Sequence, residues 1–172
     1  MVVLCDIHVS AANDTARLIP SVGVVAPRVD VSSSDDVEGL KTFLRDRNIE
    51  VGILINNAGI VQGLRMTNGA LTPAHSQLTM AVNCMSNFLM LHHLLPSMIS
   101  RKKGHLVTIA STMGLIPCGS LCDYSASKFA QIGMHASLRM ELCRDCPNIK
   151  TLLVCPHMID TGMFDGTSES LD

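Results

Sequence analysis

Three side chains in the second half of this sequence could do chemistry together: Ser111, Tyr124 and Lys128. Tyr124 and Lys128 lie four apart in DYSASKFA, a segment that reads as the opening of a helix. Residues i and i+4 share a helix face, so the spacing sets an ammonium beside a phenol. A nearby cation favours phenolate and lowers a tyrosine pKa. A phenol tuned towards neutrality can take a proton from an alcohol or give one to a carbonyl. Ser111 closes the preceding apolar run, which begins at His105, and could hydrogen-bond the same oxygen. Such a set suits hydride transfer on an alcohol or ketone. A bare Tyr-x-x-x-Lys is more often an ordinary helix pair, so its neighbours decide its weight.

Those neighbours are specific. Ser111 precedes Tyr124 by thirteen residues and is followed by Gly114. NNAG stands at Asn56 to Gly59, directly after the apolar run VGILI, and Asn83 lies between in AVNCMSNF. In this order the elements resemble the short-chain dehydrogenase/reductase family, and the likeness runs over nearly the whole chain. LCDYSASKFA and CPHMIDTGMFDG are similar to the branch holding epidermal-type retinol dehydrogenases and lipid-droplet hydroxysteroid dehydrogenases.

The resemblance implies an α/β fold with a Rossmann-type, doubly wound parallel sheet. It makes Tyr124 the acid/base, Lys128 the residue that lowers its pKa and grips the cofactor ribose, and Ser111 the one that orients substrate. Asn83 becomes the fourth catalytic member, bending its helix and holding a water that relays protons to Lys128; Asn87 falls outside that motif. Asn57, Ala58 and Gly59 are placed near the cofactor, Asp30 and Val31 at the adenine, and Ile159 and Thr161 at the nicotinamide carboxamide. His157 stands where the family usually has Gly. The substrate implied is a small lipophilic alcohol or ketone, retinoid or steroid-like. A homodimer through the two long helices is implied, as is a place on the cytoplasmic side, at the endoplasmic reticulum or lipid droplets.

Composition narrows the classes. At 172 residues, 47% hydrophobic and 16% charged, the chain suits one domain with a core. A net charge of −2 argues against a nucleic-acid surface. The longest apolar stretch, Phe88 to Ile99, carries His92, His93 and Pro96 and reads as a buried helix rather than a membrane span. No secretory signal pattern opens the chain. Arg101-Lys102-Lys103 reads as a helix C-terminal cluster. Seven cysteines are expected as reduced thiols. Cys143 and Cys146 have the spacing of a redox pair or half a zinc site, but a second ligand pair is missing and no metal is expected.

The elements follow in order. VVLC is a short strand ending at Asp6. In a dinucleotide fold an acid after the second strand binds the adenosine ribose hydroxyls and disfavours a 2′-phosphate, so Asp6 suggests NAD over NADP; a plain turn residue is the equal alternative. A weak helix covers residues 11–19, and Val24 to Val29 is a strand closing at Asp30. Ser33-x-x-Asp36 resembles a capping box before Val37, Leu40 and Leu44 at helical spacing. Val51 to Ile55 reads as a strand buried on both faces. A helical pattern runs from Pro73 to Ser100, with Asn83 inside it against propensity. The helix from Tyr124 extends to about Cys143, and Ile149 to Cys155 is the last strand. Thr167 to Asp172 is a polar tail expected to fray.

Two family features are missing from this sequence. The chain has no glycine-rich turn to bring a pyrophosphate to a helix N-terminus. Asp6 and Asp30 have the spacing of the second and third strand ends, and the chain stops soon after Thr161. The expectation is therefore a fragment: a single partial dinucleotide-binding domain over residues 1–172, its sheet lacking the first and last strands. The missing first strand either leaves a gap or forces VVLC and VGILI to pair. Two functions remain open: an NAD-dependent oxidoreductase, or a catalytically inactive dehydrogenase-like chain that acts by associating with a full-length relative.

Overall fold

A computed structural model describes residues 1–164; the polar tail from Thr167 lies outside the described residues. The chain forms two compact units, Met1–Glu50 and a second beginning at Val51. Among the described residues five strands form two parallel sheets, one of two strands in the first unit and one of three in the second.

In the N-terminal unit β1 (Val2–Val3) pairs with β2 (Val24–Val25). The strand expected over 24–29 is only two residues long. Pro27 has no N–H to give the ladder, and pairing resumes only as the isolated bridge between Asp6 and Arg28. Helix α1 spans Val9–Arg17 and α2 spans Ser34–Asp46. Ser33 caps α2, its hydroxyl accepting from the Asp36 N–H at 3.2 Å. The expected capping box is corrected in its second half. The Asp36 carboxylate turns outward to accept from the Asp30 N–H at 2.8 Å and from Arg28 at 3.1 Å. Val37, Leu40 and Leu44 are buried, as their spacing requires.

In the second unit β3 (Ile53–Asn56), β4 (Gly104–Ile109) and β5 (Ile149–Val154) run parallel with β4 central. Helices α4 (Ser86–Ser100) and α5 (Cys122–Asp145) cover the face carrying Gly104, Leu106 and Thr108. Gly104 lies against Met98 of α4, and Thr108 Oγ1 is 2.8 Å from His135 Nδ1 of α5. The parallel register puts Leu54 beside Leu106 on that face and Ile53 and Ile55 on the other. Leu54 is buried, but Ile53 and Ile55 are 60% and 59% exposed. The expectation of a strand buried on both faces is thus corrected. Its second apolar face is uncovered, because the unit's long helices pack on the first.

The long helical pattern is three pieces: α3 (Pro73–Met80), one π-helical turn (Ala81–Met85) holding Asn83, and α4. A capping box at its start, Thr72 with His75, had no recognisable Glu or Gln signal. At the end of α4, Arg101 donates to the Val51 carbonyl at 2.8 Å, fastening the helix exit to the approach of β3. A 3-10 turn, Thr112–Gly114, links β4 towards α5.

Gly114 is the tightest point of that link. A Cβ there would lie 2.7 Å from the Lys128 carbonyl oxygen and 2.6 Å from Ile132 Cδ1. Gly114→Ala is therefore expected to destabilise by about 1–3 kcal/mol, since backbone has to move. Gly39, exposed within α2 with open space around its Cα, is the contrast. Gly39→Ala should stabilise by roughly 0.5–1 kcal/mol. Chemical denaturation of the two variants checks both signs.

Candidate active site

Ser111, Tyr124, Lys128 and Asn83 come together in the second unit. Ser111 leaves β4 in extended conformation and caps the 3-10 turn, its hydroxyl accepting from the Met113 N–H at 3.2 Å. Helix α5 opens at Cys122, two residues before the expected start, and carries Tyr124 and Lys128 one turn apart. Both are buried. Tyr124 packs with Met113 and Leu121, edged by Val61, Cys118 and Phe164. The Phe164 ring meets it edge-on at 5.9 Å between centroids.

Asn83 is fully buried, and its amide makes a two-way bond with Ile60 in the segment following NNAG. Oδ1 accepts from the Ile60 N–H at 2.8 Å, and Nδ2 donates to the Ile60 carbonyl at 2.9 Å. Nδ2 also donates to Ser127 Oγ at 3.0 Å, and Ser127 in turn donates to the Tyr124 carbonyl at 2.7 Å. A π-helical turn leaves backbone groups without their usual i−4 partners. Here the Asn83 carbonyl accepts instead from Asn87 Nδ2 at 3.0 Å. The side chain that looked unfavourable within a helix thus joins three segments.

The Lys128 ammonium donates to the Ile109 carbonyl at the end of β4 and to Gln131 Oε1, both at 3.1 Å. It lies 5.6 Å from the centre of the Tyr124 ring. Gly59 faces it: a Cβ at Gly59 would be 3.5 Å from Asn83 Oδ1 and 3.7 Å from Lys128 Nζ. Burial pushes Lys128 down to about 8, an effect that Cys155 opposes. Burial pushes the Tyr124 phenol above its ordinary value, and its hydrogen bond with Ser111 opposes that. The sequence expectation of a phenol lowered by Lys128 is therefore not met in the chain as it stands, because desolvation dominates and the ammonium is directed elsewhere.

The remaining expected residues are placed as follows. Asn57 is exposed and Ala58 half-buried, leading into Gly59. Ile159 and Thr161 are exposed beyond β5, where Thr161 donates from its N–H to the Ile159 carbonyl at 2.9 Å. This segment is tied to the site at its start, the Thr112 N–H donating to the Pro156 carbonyl at 2.9 Å. Asp6, Asp30 and Val31 belong to the N-terminal unit. Asp6 Oδ1 accepts from the His8 N–H at 2.8 Å, a turn contact. Asp30 Oδ1 accepts from the Ser32 hydroxyl and N–H, which holds its carboxyl below the usual carboxylate value. Gln131 was missed by sequence reasoning. A polar residue three after Lys128, hence on its face, was the available signal. Asp123, which accepts from Thr79 at 2.6 Å in the core, was missed as well.

Among the described residues no group of three or more His, Cys, Asp or Glu is placed to hold a metal, and no helix is long and apolar enough to cross a membrane.

The short chain dehydrogenase family model matches residues 1–172. Retinol dehydrogenase 10-B of Danio rerio is 37% identical, with 91% of this chain and 47% of that protein covered. Short-chain dehydrogenase/reductase family 16C member 6 of Bos taurus is 38% identical, with 98% and 54% covered. The chain thus spans about half the length of the curated relatives it matches. A metagenomic short-chain oxidoreductase in complex with NADP is 29% identical, with 90% of this chain and 70% of that one covered, at a TM-score of 0.81. A short chain dehydrogenase/reductase from Burkholderia phymatum in complex with NAD is 27% identical, with 96% and 59% covered, at a TM-score of 0.86. These likenesses bear out the expected family and the Rossmann-type α/β class, present here in part.

The buried ammonium has a stability signature. With the folded value near 8 and the ordinary value 10.5, the unfolded chain binds more protons between those pH values. Stability should therefore rise as pH increases from about 8 towards 10, by up to a few kcal/mol. Below pH 8 the penalty of burying the charge is fully present. Lys128→Met should remove the pH-dependent gain. Denaturation midpoints at pH 7.5, 8.5 and 9.5 for both proteins, roughly spanning that window, check it.

Proposed function

The chain belongs to the short chain dehydrogenase family, and from that membership we propose an oxidoreductase that moves a hydride between NAD(H) and an alcohol or carbonyl of a lipophilic substrate. The observation that carries this reading is the buried Tyr124 phenol one helical turn from Lys128, with Ser111 following the end of the neighbouring strand. Tyr124 exchanges the proton with the substrate oxygen, Ser111 orients that oxygen, and Lys128 supplies the positive charge that favours phenolate. Asn83 holds the loop after NNAG against α5, so that Gly59 stays open beside Lys128.

A bound nicotinamide supplies the hydride acceptor or donor. The residues present suit that end of a dinucleotide: Gly59 leaves space beside Lys128 that a Cβ would narrow, and Asn57, Ala58, Tyr124, Lys128, Ile159 and Thr161 are the proposed contacts. Asp6, Asp30 and Val31 are proposed for the adenosine end. NAD is preferred in this reading because Asp6 would repel a 2′-phosphate and the next arginine in sequence, Arg17, pairs with Asp14. Both cofactors occur among the similar solved structures. Retinoid or steroid-like alcohols are the proposed substrates. The apolar shell of Val61, Met113, Leu121 and Phe164 around Tyr124 supports them, as does the similarity to a retinol dehydrogenase. A homodimer through α4 and α5 is supported by an apolar groove between them, lined by Phe88, Leu95, Met134 and Leu138.

A second reading rests on the uncovered face of β3 and on a sequence without a glycine-rich turn. In it the 172-residue chain is inactive by itself and works, if at all, by associating with a longer relative. Titration of the purified chain with NADH separates the two. The second reading expects weak or absent binding, since phosphates would lack the backbone N–H groups and helix dipole that usually receive them. Micromolar binding with a cooperative melt would exclude the second reading.

The catalytic assignment is tested in a chimera carrying a relative's first strand and glycine-rich turn ahead of Met1. Tyr124→Phe should lower kcat by about 10²-fold or more while cofactor affinity persists. Retained turnover would remove Tyr124 from the acid/base role. In the same protein kcat/KM should favour NAD over NADP by at least about tenfold, which needs only ~1.4 kcal/mol. An NADP preference would make Asp6 a turn residue alone.

A further inference from the structure

A buried ammonium has three donors and no acceptor, so whatever meets it must accept. Lys128 Nζ meets Gln131 Oε1 at 3.1 Å. That fixes the Gln131 amide: its Nε2 faces away and donates to Asn87 Oδ1 at 3.4 Å. Asn87 is fixed in turn, and its Nδ2 donates to the Asn83 carbonyl at 3.0 Å. Read from the other end, a carbonyl can only accept, and the same orientation results. Two acceptor-facing amides therefore run one way from a cation to a backbone carbonyl, crossing from α5 to α4. Gln131 and Asn87 are each 1% exposed and Lys128 3%.

We propose that Gln131 is a positioning residue for Lys128, holding the buried ammonium charged and aimed through a one-way amide chain that continues via Asn87 to the Asn83 carbonyl. The proposal rests on the reading of Lys128 as the functional cation. The aligned amides turn their oxygens towards the charge, and hydrogen bonds in such a chain polarise one another. Gln is suited to this task where Glu is not. A carboxylate would neutralise the ammonium, whereas an amide stabilises it and leaves its positive charge to act on the phenol. With Ile109 and Gln131 as acceptors, the third N–H remains for a ligand on the Gly59 side.

The groups around Lys128 allow a clean measurement. Its own helix contributes Tyr124, and the chain beyond β5 contributes Cys155, whose charge raises Lys128. The end of β4 contributes the Ile109 carbonyl, and the π turn and α4 contribute the neutral Asn83 and Asn87. The chain holds five lysines, Lys41, Lys102, Lys103, Lys128 and Lys150, so the titrating signal is assignable. The experiment is NMR titration of the 172-residue chain labelled with carbon-13 at the lysine ε-carbon, with Lys128→Met identifying the resonance.

Gln131→Met, of similar size without an acceptor, should move the Lys128 midpoint down by about one pH unit. Asn87→Ala should move it the same way by less, and the double variant no further than Gln131→Met alone. Gln131→Glu, nearly isosteric, should move it up. A Lys128 midpoint unchanged in folded Gln131→Met would overturn the proposal and leave Gln131 as a link between two helices. If that variant fails to fold, Gln131→Glu decides, and an unmoved midpoint there is equally fatal. The readout needs no turnover, so an inactive chain would count against the proposed function without touching this result.

Discussion

Removing an ammonium from water costs several kcal/mol unless fixed partners replace the solvent. Lys128 lies buried where α5 meets β4, and much of the second unit is arranged to answer it. β4 ends with the Ile109 carbonyl aimed at Nζ. α5 adds Gln131, and α4 supports Gln131 through Asn87. The π turn at Ala81–Met85 frees the Asn83 carbonyl to close that chain while presenting the Asn83 amide to Ile60. Loosening any of these leaves a charge in a low dielectric with fewer acceptors. The helices and strand that build the site are therefore held by the same bonds that make the site polar.

The fold class was legible through the family resemblance, and the single elements because their signals are local and repeated. Val37, Leu40 and Leu44 at helical spacing, and the apolar runs of β3, β4 and β5, needed no tertiary information. The errors arose where a distant partner decides. Asp36 looked like the return half of a capping box, but its carboxylate found Asp30 and Arg28 instead. Val51 to Ile55 looked doubly buried, and an apolar run cannot say whether a second layer of helices covers it. At Pro27 the sequence itself carries the breaking signal, and the strand stops before it.

The site divides in the same way. Ser111, Tyr124 and Lys128 were legible because two share a helix face and one ends the neighbouring strand. Gln131 and Asn87 were not, since spacing can put Gln131 on the face of Lys128 but a buried amide takes its role from what it touches. The direction of the phenol shift was misjudged for a related reason. Spacing gives proximity, but it gives neither burial nor where the ammonium's hydrogens point.

That last point bears on how the pair can work. In the chain as it stands, Lys128 titrates near 8 and Tyr124 above its ordinary value, so the ammonium loses its proton first as pH rises. A neutral lysine gives the phenol no electrostatic help. For the pair to act as proposed, Lys128 must stay cationic over the range in which Tyr124 exchanges its proton. Acceptors around Nζ do that, because each one bound to the charged form favours it. Two are built into the protein, the Ile109 carbonyl and Gln131. The third direction, on the open side by Gly59, is where a ligand hydroxyl would complete the set. Ligand binding and phenol activation would then be one event: filling that position raises Lys128, and a Lys128 that stays charged lowers Tyr124.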